Sequence, residues 1–128
     1  MRYQGIVLDV DGTVVREAAP IAGAAEGLDA VDDAGLRRVF CSNNPIERPA
    51  AYEARFAEAG FSVSAAEVFT AGTITTEYLQ AEHPDDRVLL IGEAGLREQL
   101  VDAGLSLTTD PRAADVVVGS LSREFGYE

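Results

Sequence analysis

Gly5-Ile6-Val7-Leu8-Asp9-Val10-Asp11-Gly12-Thr13 is the stretch on which the reading of the fold turns. A short apolar run with little alternation predicts a strand covered on both faces, as in a parallel sheet. This one delivers two carboxylates, two residues apart, at its carboxyl end. In an open α/β sheet that edge is where ligands bind. Gly12 lets the backbone turn sharply there and aim N–H groups at an anion. Two carboxylates so close do not readily both ionise without a cation, so a divalent metal is implied. Oxygen ligands beside a phosphate suit Mg²⁺. The bland alternative is an ordinary strand-to-turn transition, in which Asp-Gly is common.

Downstream, short apolar runs alternate with amphipathic stretches, the signature of βαβ units. Strands are expected at Gly5–Val10, Leu36–Cys41, Arg87–Ile91 and Asp115–Val118. Helical stripes run through Ala24, Leu28 and Val31, through Tyr52, Phe56 and Ala59, and through Leu96, Leu100 and Ala103. Pro49 suits a first helical turn, and Thr73–Ala81 is a further helix candidate. Ala34-Gly35-Leu36, Ala59-Gly60-Phe61 and Ala103-Gly104-Leu105 repeat one helix-closing pattern, with glycine in the left-handed position after the last turn. Ser64-x-x-Glu67 reads as a capping box. A boundary is expected near Thr70–Gly72.

The 128 residues carry a net charge of −12, and 47% of them are hydrophobic. That is enough apolar material for a core, and the charge argues against nucleic-acid or anionic-membrane partners, which are bound through clustered cations. All ten basic residues are arginine. An acidic, alanine-rich, lysine-free chain matches a cytoplasm at molar salt, where a Debye length of roughly 3 Å makes such self-repulsion tolerable. The single cysteine, Cys41, rules out an intrachain disulfide and a cysteine-built zinc site, and is expected to be a small buried strand residue. No apolar run is long enough for a signal peptide or a membrane span, so a cytoplasmic protein is expected.

The second chemical signal is Val39-Phe40-Cys41-Ser42-Asn43-Asn44-Pro45, again a strand entering a polar turn. Ser42 and Asn43 offer a hydroxyl and an amide for phosphoryl oxygens. The same residues also make a plain turn. Their value lies in following the first motif by one βα unit, which makes the two strands neighbours.

Taken together, Asp9-x-Asp11-Gly12-Thr13 and Ser42-Asn43-Asn44 resemble the first two motifs of the haloacid dehalogenase superfamily. The arrangement is most similar to its NagD-like, p-nitrophenyl phosphatase-like subclass. Pro20-Ile21-Ala22-Gly23-Ala24 before the first helix supports this, as do Val88–Glu93, Ala114–Val118 and Arg123-Glu124-Phe125. The resemblance implies a Rossmann-like core half over residues 1–71 and part of an α/β cap over residues 72–128. It implies that Asp9 attacks phosphorus and that Asp11 is the acid/base partner. Mg²⁺ would sit on the Asp9 carboxylate and the Asp11 carbonyl, and Gly12, Thr13, Ser42 and Asn43 would bind phosphate. The substrate would be a small phosphorylated metabolite.

The family pattern continues with a lysine and with acidic residues on a later strand end, in chains about twice this length. The lysine has no counterpart here. Asp32-Asp33 and Asp85-Asp86 are expected to be solvated surface charges instead of that fourth motif. The resemblance therefore suggests a truncated chain ending in mid-cap at Phe125-Gly126-Tyr127-Glu128, with impaired turnover. Two rivals lack a residue that they need, and a third stays open. A receiver domain needs a lysine. A cysteine phosphatase needs arginine at position 47, where Glu47 stands. A non-catalytic half-domain would associate with itself or a partner through its sheet edges. His83 receives no role, and Tyr3, Tyr52, Phe56 and Phe61 are expected to pack.

Overall fold

The computed structural model describes residues 3–123. Glu124, Phe125 and the rest of the last five residues, read above as family-like, lie outside the described residues. The chain divides into two compact units. One comprises the residues up to Asn43 together with Arg48–Thr70. The other comprises Asn44–Glu47 and the chain from Ala71 onward.

In the first unit, β1 (Gly5–Asp9), β4 (Arg37–Ser42) and β5 (Val68–Thr70) form a parallel sheet in the order β1-β4-β5. Between the first two lie a small hairpin of β2 (Val15–Arg16) and β3 (Ala19–Pro20), then helix α1 (Ala24–Asp33). Glu17 in the hairpin turn takes a positive φ of 56°. Helix α2 (Pro49–Glu58) starts on its proline, as the sequence predicts, and a 3-10 turn at Ala65–Glu67 precedes β5. That turn carries the expected capping box, with Ser64 and Glu67 each bonded to the other's backbone.

The α/β class with parallel strands is as the sequence indicates, and the predicted strands shift by no more than one residue. The left-handed helix closures are also present, with φ of 65° at Gly35, 86° at Gly60 and 83° at Gly104. What differs is coverage. Tyr52 and Phe56 from α2 and Leu28 from α1 pack with Phe40, Val10 and Val68 in one cluster. All of these sheet residues lie on the same face as Ile6 and Leu8. The opposite face carries Val7, 67% exposed, and Cys41, also exposed. The expectation of strands covered on both faces, and of a buried Cys41, is therefore corrected: the described helices of this unit cover one side only. Tyr3, expected to pack, is likewise exposed.

Charge stitches the unit at the amino ends of its strands. Arg38, on β4, donates to Asp32 and Glu67 at 2.9 Å each and to the Ser62 carbonyl. Asp32 is thus paired as well as solvated. Burial alone would raise Glu67, but the Ser64 N–H and the Arg38 guanidinium outweigh it and hold the carboxyl below its usual range.

The second unit repeats the scheme. Its sheet runs β7 (Ser106–Thr108), β6 (Arg87–Ile91), β8 (Val116–Gly119), all parallel, with helices α3 (Ala71–Glu82) and α4 (Ala94–Asp102). Leu79, Leu96 and Leu100 from the helices and Val88 and Leu90 from β6 form its core, while Val117 on the other face is 61% exposed. Buried Gln99 donates to the carbonyls of Pro45 and Ile46, both at 3.1 Å, which ties the segment 44–47 to α4. His83 pairs with Asp86 at 2.8 Å, so that aspartate too is partnered.

Candidate active site

Parallel pairing sets Asp9 of β1 opposite Cys41 of β4, and Ser42 opposite Thr70 of β5. The carboxyl end of β1 therefore lies beside the start of the Ser42 turn, as neighbouring strands one βα unit apart predict. Asp9 is exposed, and its Oδ2 accepts from the Thr13 hydroxyl at 3.2 Å. Thr13, four residues later, is brought back by a tight turn in which Val10 O receives the N–H groups of Thr13, Val14 and Val15. Gly12, with φ of 83°, makes that turn possible.

These bonds change the part assigned to the backbone. The Gly12 N–H is given to Val15 O at 2.8 Å and the Thr13 N–H to Val10 O at 3.3 Å. Of the main-chain donors around Gly12, these two are taken up within the chain, one by the first strand of the hairpin and one just past the end of β1. What Thr13 offers the site is its hydroxyl, and that is directed at Asp9.

Ser42 is also placed differently from the simplest reading. It is only 6% exposed, on the helix-covered face of β4, and its Oγ lies 2.8 Å from Tyr52 Oη. Strand alternation explains this: Phe40 and Ser42 share a face, so a buried Phe40 carries Ser42 inward with it. Asn43, the next residue, is exposed at the end of the strand.

Sequence reasoning did not single out Arg55. From α2 its Nη2 donates to Asp11 Oδ1 at 2.7 Å, and its guanidinium stands 4.6 Å from the Tyr52 ring centroid. Tyr52, expected only to pack, thus links the two motifs through Ser42 on one side and Arg55 on the other. The available signal was helical spacing, since residues three apart share a face.

Among the described residues no cluster of three or more His, Cys, Asp or Glu is gathered for a metal. An ion here would rest on two carboxylates at most and complete its shell with main-chain oxygen, phosphate and water. That donor set fits Mg²⁺, which is usually held in this way, and does not fit a dedicated zinc cage. A concavity of about 600 Å³ opens at the other end of the strands, beside Gln4, Gly5, Arg37 and Arg38, away from Asp9. Among the described residues no helix is long and apolar enough to cross a membrane.

A family model described as haloacid dehalogenase-like hydrolase matches residues 6–106. An acid sugar phosphatase of Staphylococcus epidermidis is 32% identical over 126 residues, covering 98% of this chain and 48% of its own. Among solved structures, a p-nitrophenyl phosphatase from Archaeoglobus fulgidus matches with TM-score 0.85 at 28% identity, over 98% of this chain and 48% of its own. NagD from E. coli K-12 matches with TM-score 0.81 at 27% identity, over 99% and 50%. The chain thus spans about half the length of these relatives.

Proposed function

The chain belongs to the haloacid dehalogenase-like hydrolase family, and from that premise we propose that it carries the nucleophile end of a Mg²⁺-dependent phosphate monoester hydrolase. The observation that carries this reading is the pair at the end of β1. Asp9 is exposed and accepts a neutral hydroxyl, while Asp11 is held by a cation. Two like groups with different partners suit a division between nucleophile and acid/base.

In this reading one Asp9 oxygen attacks phosphorus while the other keeps the Thr13 bond, giving an aspartyl-phosphate. Asp11 gives a proton to the leaving alcohol and later takes one from the water that hydrolyses the acyl phosphate. The Asp9 carboxylate and the Asp11 carbonyl would hold Mg²⁺, which when bound neutralises charge on the phosphoryl group. Asn43, exposed beside them, would orient phosphoryl oxygens, as would Ser42 once its hydroxyl is turned from Tyr52. The relatives' names, an acid sugar phosphatase and a p-nitrophenyl phosphatase, support a small phosphorylated substrate. Residues 72–128 are assigned the substrate-selecting role of a partial cap. Turnover by this chain alone is expected to be feeble.

The test is acid trapping after incubation with Mg²⁺ and p-nitrophenyl phosphate, followed by borohydride reduction and peptide mass analysis. Label on Asp9, lost in Asp9→Asn, is expected. Label elsewhere, or none at saturating substrate, would refute the proposal. A second reading, a half-domain that associates with itself or a partner, is favoured by β1, which among the described residues is paired on one side only.

A further inference from the structure

We propose that Arg55 is a positioning residue that holds the Asp11 carboxylate against α2 and out of the donor set of the metal at Asp9. The inference rests on the phosphatase reading of Asp9 and goes on to a residue that neither motif contains.

Asp9 and Asp11 are two residues apart, and nothing in their own chemistry decides which of them a divalent cation takes. The structure separates them by their partners. Asp9 Oδ2 meets only the Thr13 hydroxyl among the bonds described for it, at 3.2 Å, whereas Asp11 Oδ1 meets the Arg55 guanidinium at 2.7 Å. A hydroxyl leaves a carboxylate its full charge. A guanidinium compensates it and competes with any cation for its oxygens.

Stability is a poor reason for this ion pair. The Asp11 side chain is 47% exposed, and pairs that wet contribute little. Orientation is the better reason, because the Arg55 side chain is only 20% exposed and its planar group lies over the Tyr52 ring. Tyr52 is fully buried, and its hydroxyl is joined to Ser42 Oγ. The guanidinium is thus indexed to β4, the strand that pairs with β1, and a planar fork so fixed holds a carboxylate in one direction.

Removing the fork has a consequence that mere structural damage does not share. Without Arg55, two uncompensated carboxylates stand two residues apart, and Asp11 is free to turn toward the ion. Mg²⁺ should then bind more tightly, while damage to the site would make it bind more weakly.

The experiment titrates the full 128-residue chain with Mg²⁺ and follows the amide resonances of Asp9 to Gly12 in wild type, Arg55→Gln, Arg55→Lys and Asp9→Asn. Arg55→Gln is expected to tighten Mg²⁺ binding by roughly three- to tenfold at low salt, the effect of deleting one nearby positive charge. Arg55→Lys, which keeps the charge without the fork, is expected to retain a clear part of that gain, because a point charge does not fix the direction of the Asp11 carboxylate. Wild-type affinity in Arg55→Lys would reduce the effect to charge and overturn the positioning role. Binding that depends on Asp9 but is unchanged or weakened in Arg55→Gln would overturn this inference and leave the phosphatase reading standing. Binding that Asp9→Asn leaves unchanged, or no saturable binding in either wild type or Arg55→Gln, would overturn both.

Discussion

The Ser42–Tyr52 contact can be measured by deleting its two oxygens separately and together. Both groups are buried, at 6% and 0% exposure, and 2.8 Å is near the optimum for a hydroxyl pair. Ser42→Ala and Tyr52→Phe each remove one oxygen and little volume, so packing changes only slightly. A typical internal hydrogen bond contributes about 1 kcal/mol net, and leaving a buried partner stranded costs about 1–3 kcal/mol. Each single variant should therefore lose about 1–2 kcal/mol, a fall in Tm of about 4–8 °C for a chain of this size. The double variant removes both ends of this one bond, so its loss should fall short of the sum of the two single losses, with a coupling energy of about 1 kcal/mol. Urea titrations of the four proteins supply the cycle. Additive losses, with coupling below about 0.3 kcal/mol, would refute the claim that this bond holds the Ser42 hydroxyl inward.

Two further outcomes follow from packing and charge. Because Glu67 is held below its ordinary value of 4.5, its contribution to stability is fully present above that pH and is lost as pH falls through the lower folded value. Urea midpoints measured from pH 7 down to pH 3 should therefore drop less steeply in Glu67→Gln than in wild type. At Gly72 an added Cβ would meet the Pro45 carbonyl and come within 2.8 Å of the Gln99 amide, so Gly72→Ala should destabilise by about 1–3 kcal/mol in thermal melts despite alanine's better helix propensity.

Much of this architecture was legible because it is written in long-period signals. Gly35, Gly60 and Gly104 each mark a helix end, and the apolar runs at β1, β4, β6 and β8 are long enough to be recognised. The hairpin of β2 and β3, and the three-residue strands β5 and β7, were not read, since two or three residues show no period. Cys41 and Val7 were misplaced for a different reason. An unbroken apolar run states that both faces of a strand are apolar, but not what covers each face. At the site, Asp9, Asp11 and Thr13 were readable from adjacency. Arg55 lies 44 residues from Asp11, and only folding of α2 onto the sheet brings them together. The inward turn of Ser42 follows from alternation with Phe40, a rule that was available at the sequence level but outweighed by the motif.

The exposed flank of β1 bears on motion near the nucleophile. Among the described residues this strand pairs with β4 alone, and Val7 lies uncovered two positions before Asp9. Segments with one ladder and few apolar neighbours are the ones that open locally at small free-energy cost, well before the global transition. Amide protons along Gly5–Asp9 will therefore trade with solvent sooner than those around Phe40, whose strand is paired on both sides. Whatever shields Val7 damps that breathing, and in doing so steadies the carboxylate on which the chemistry depends.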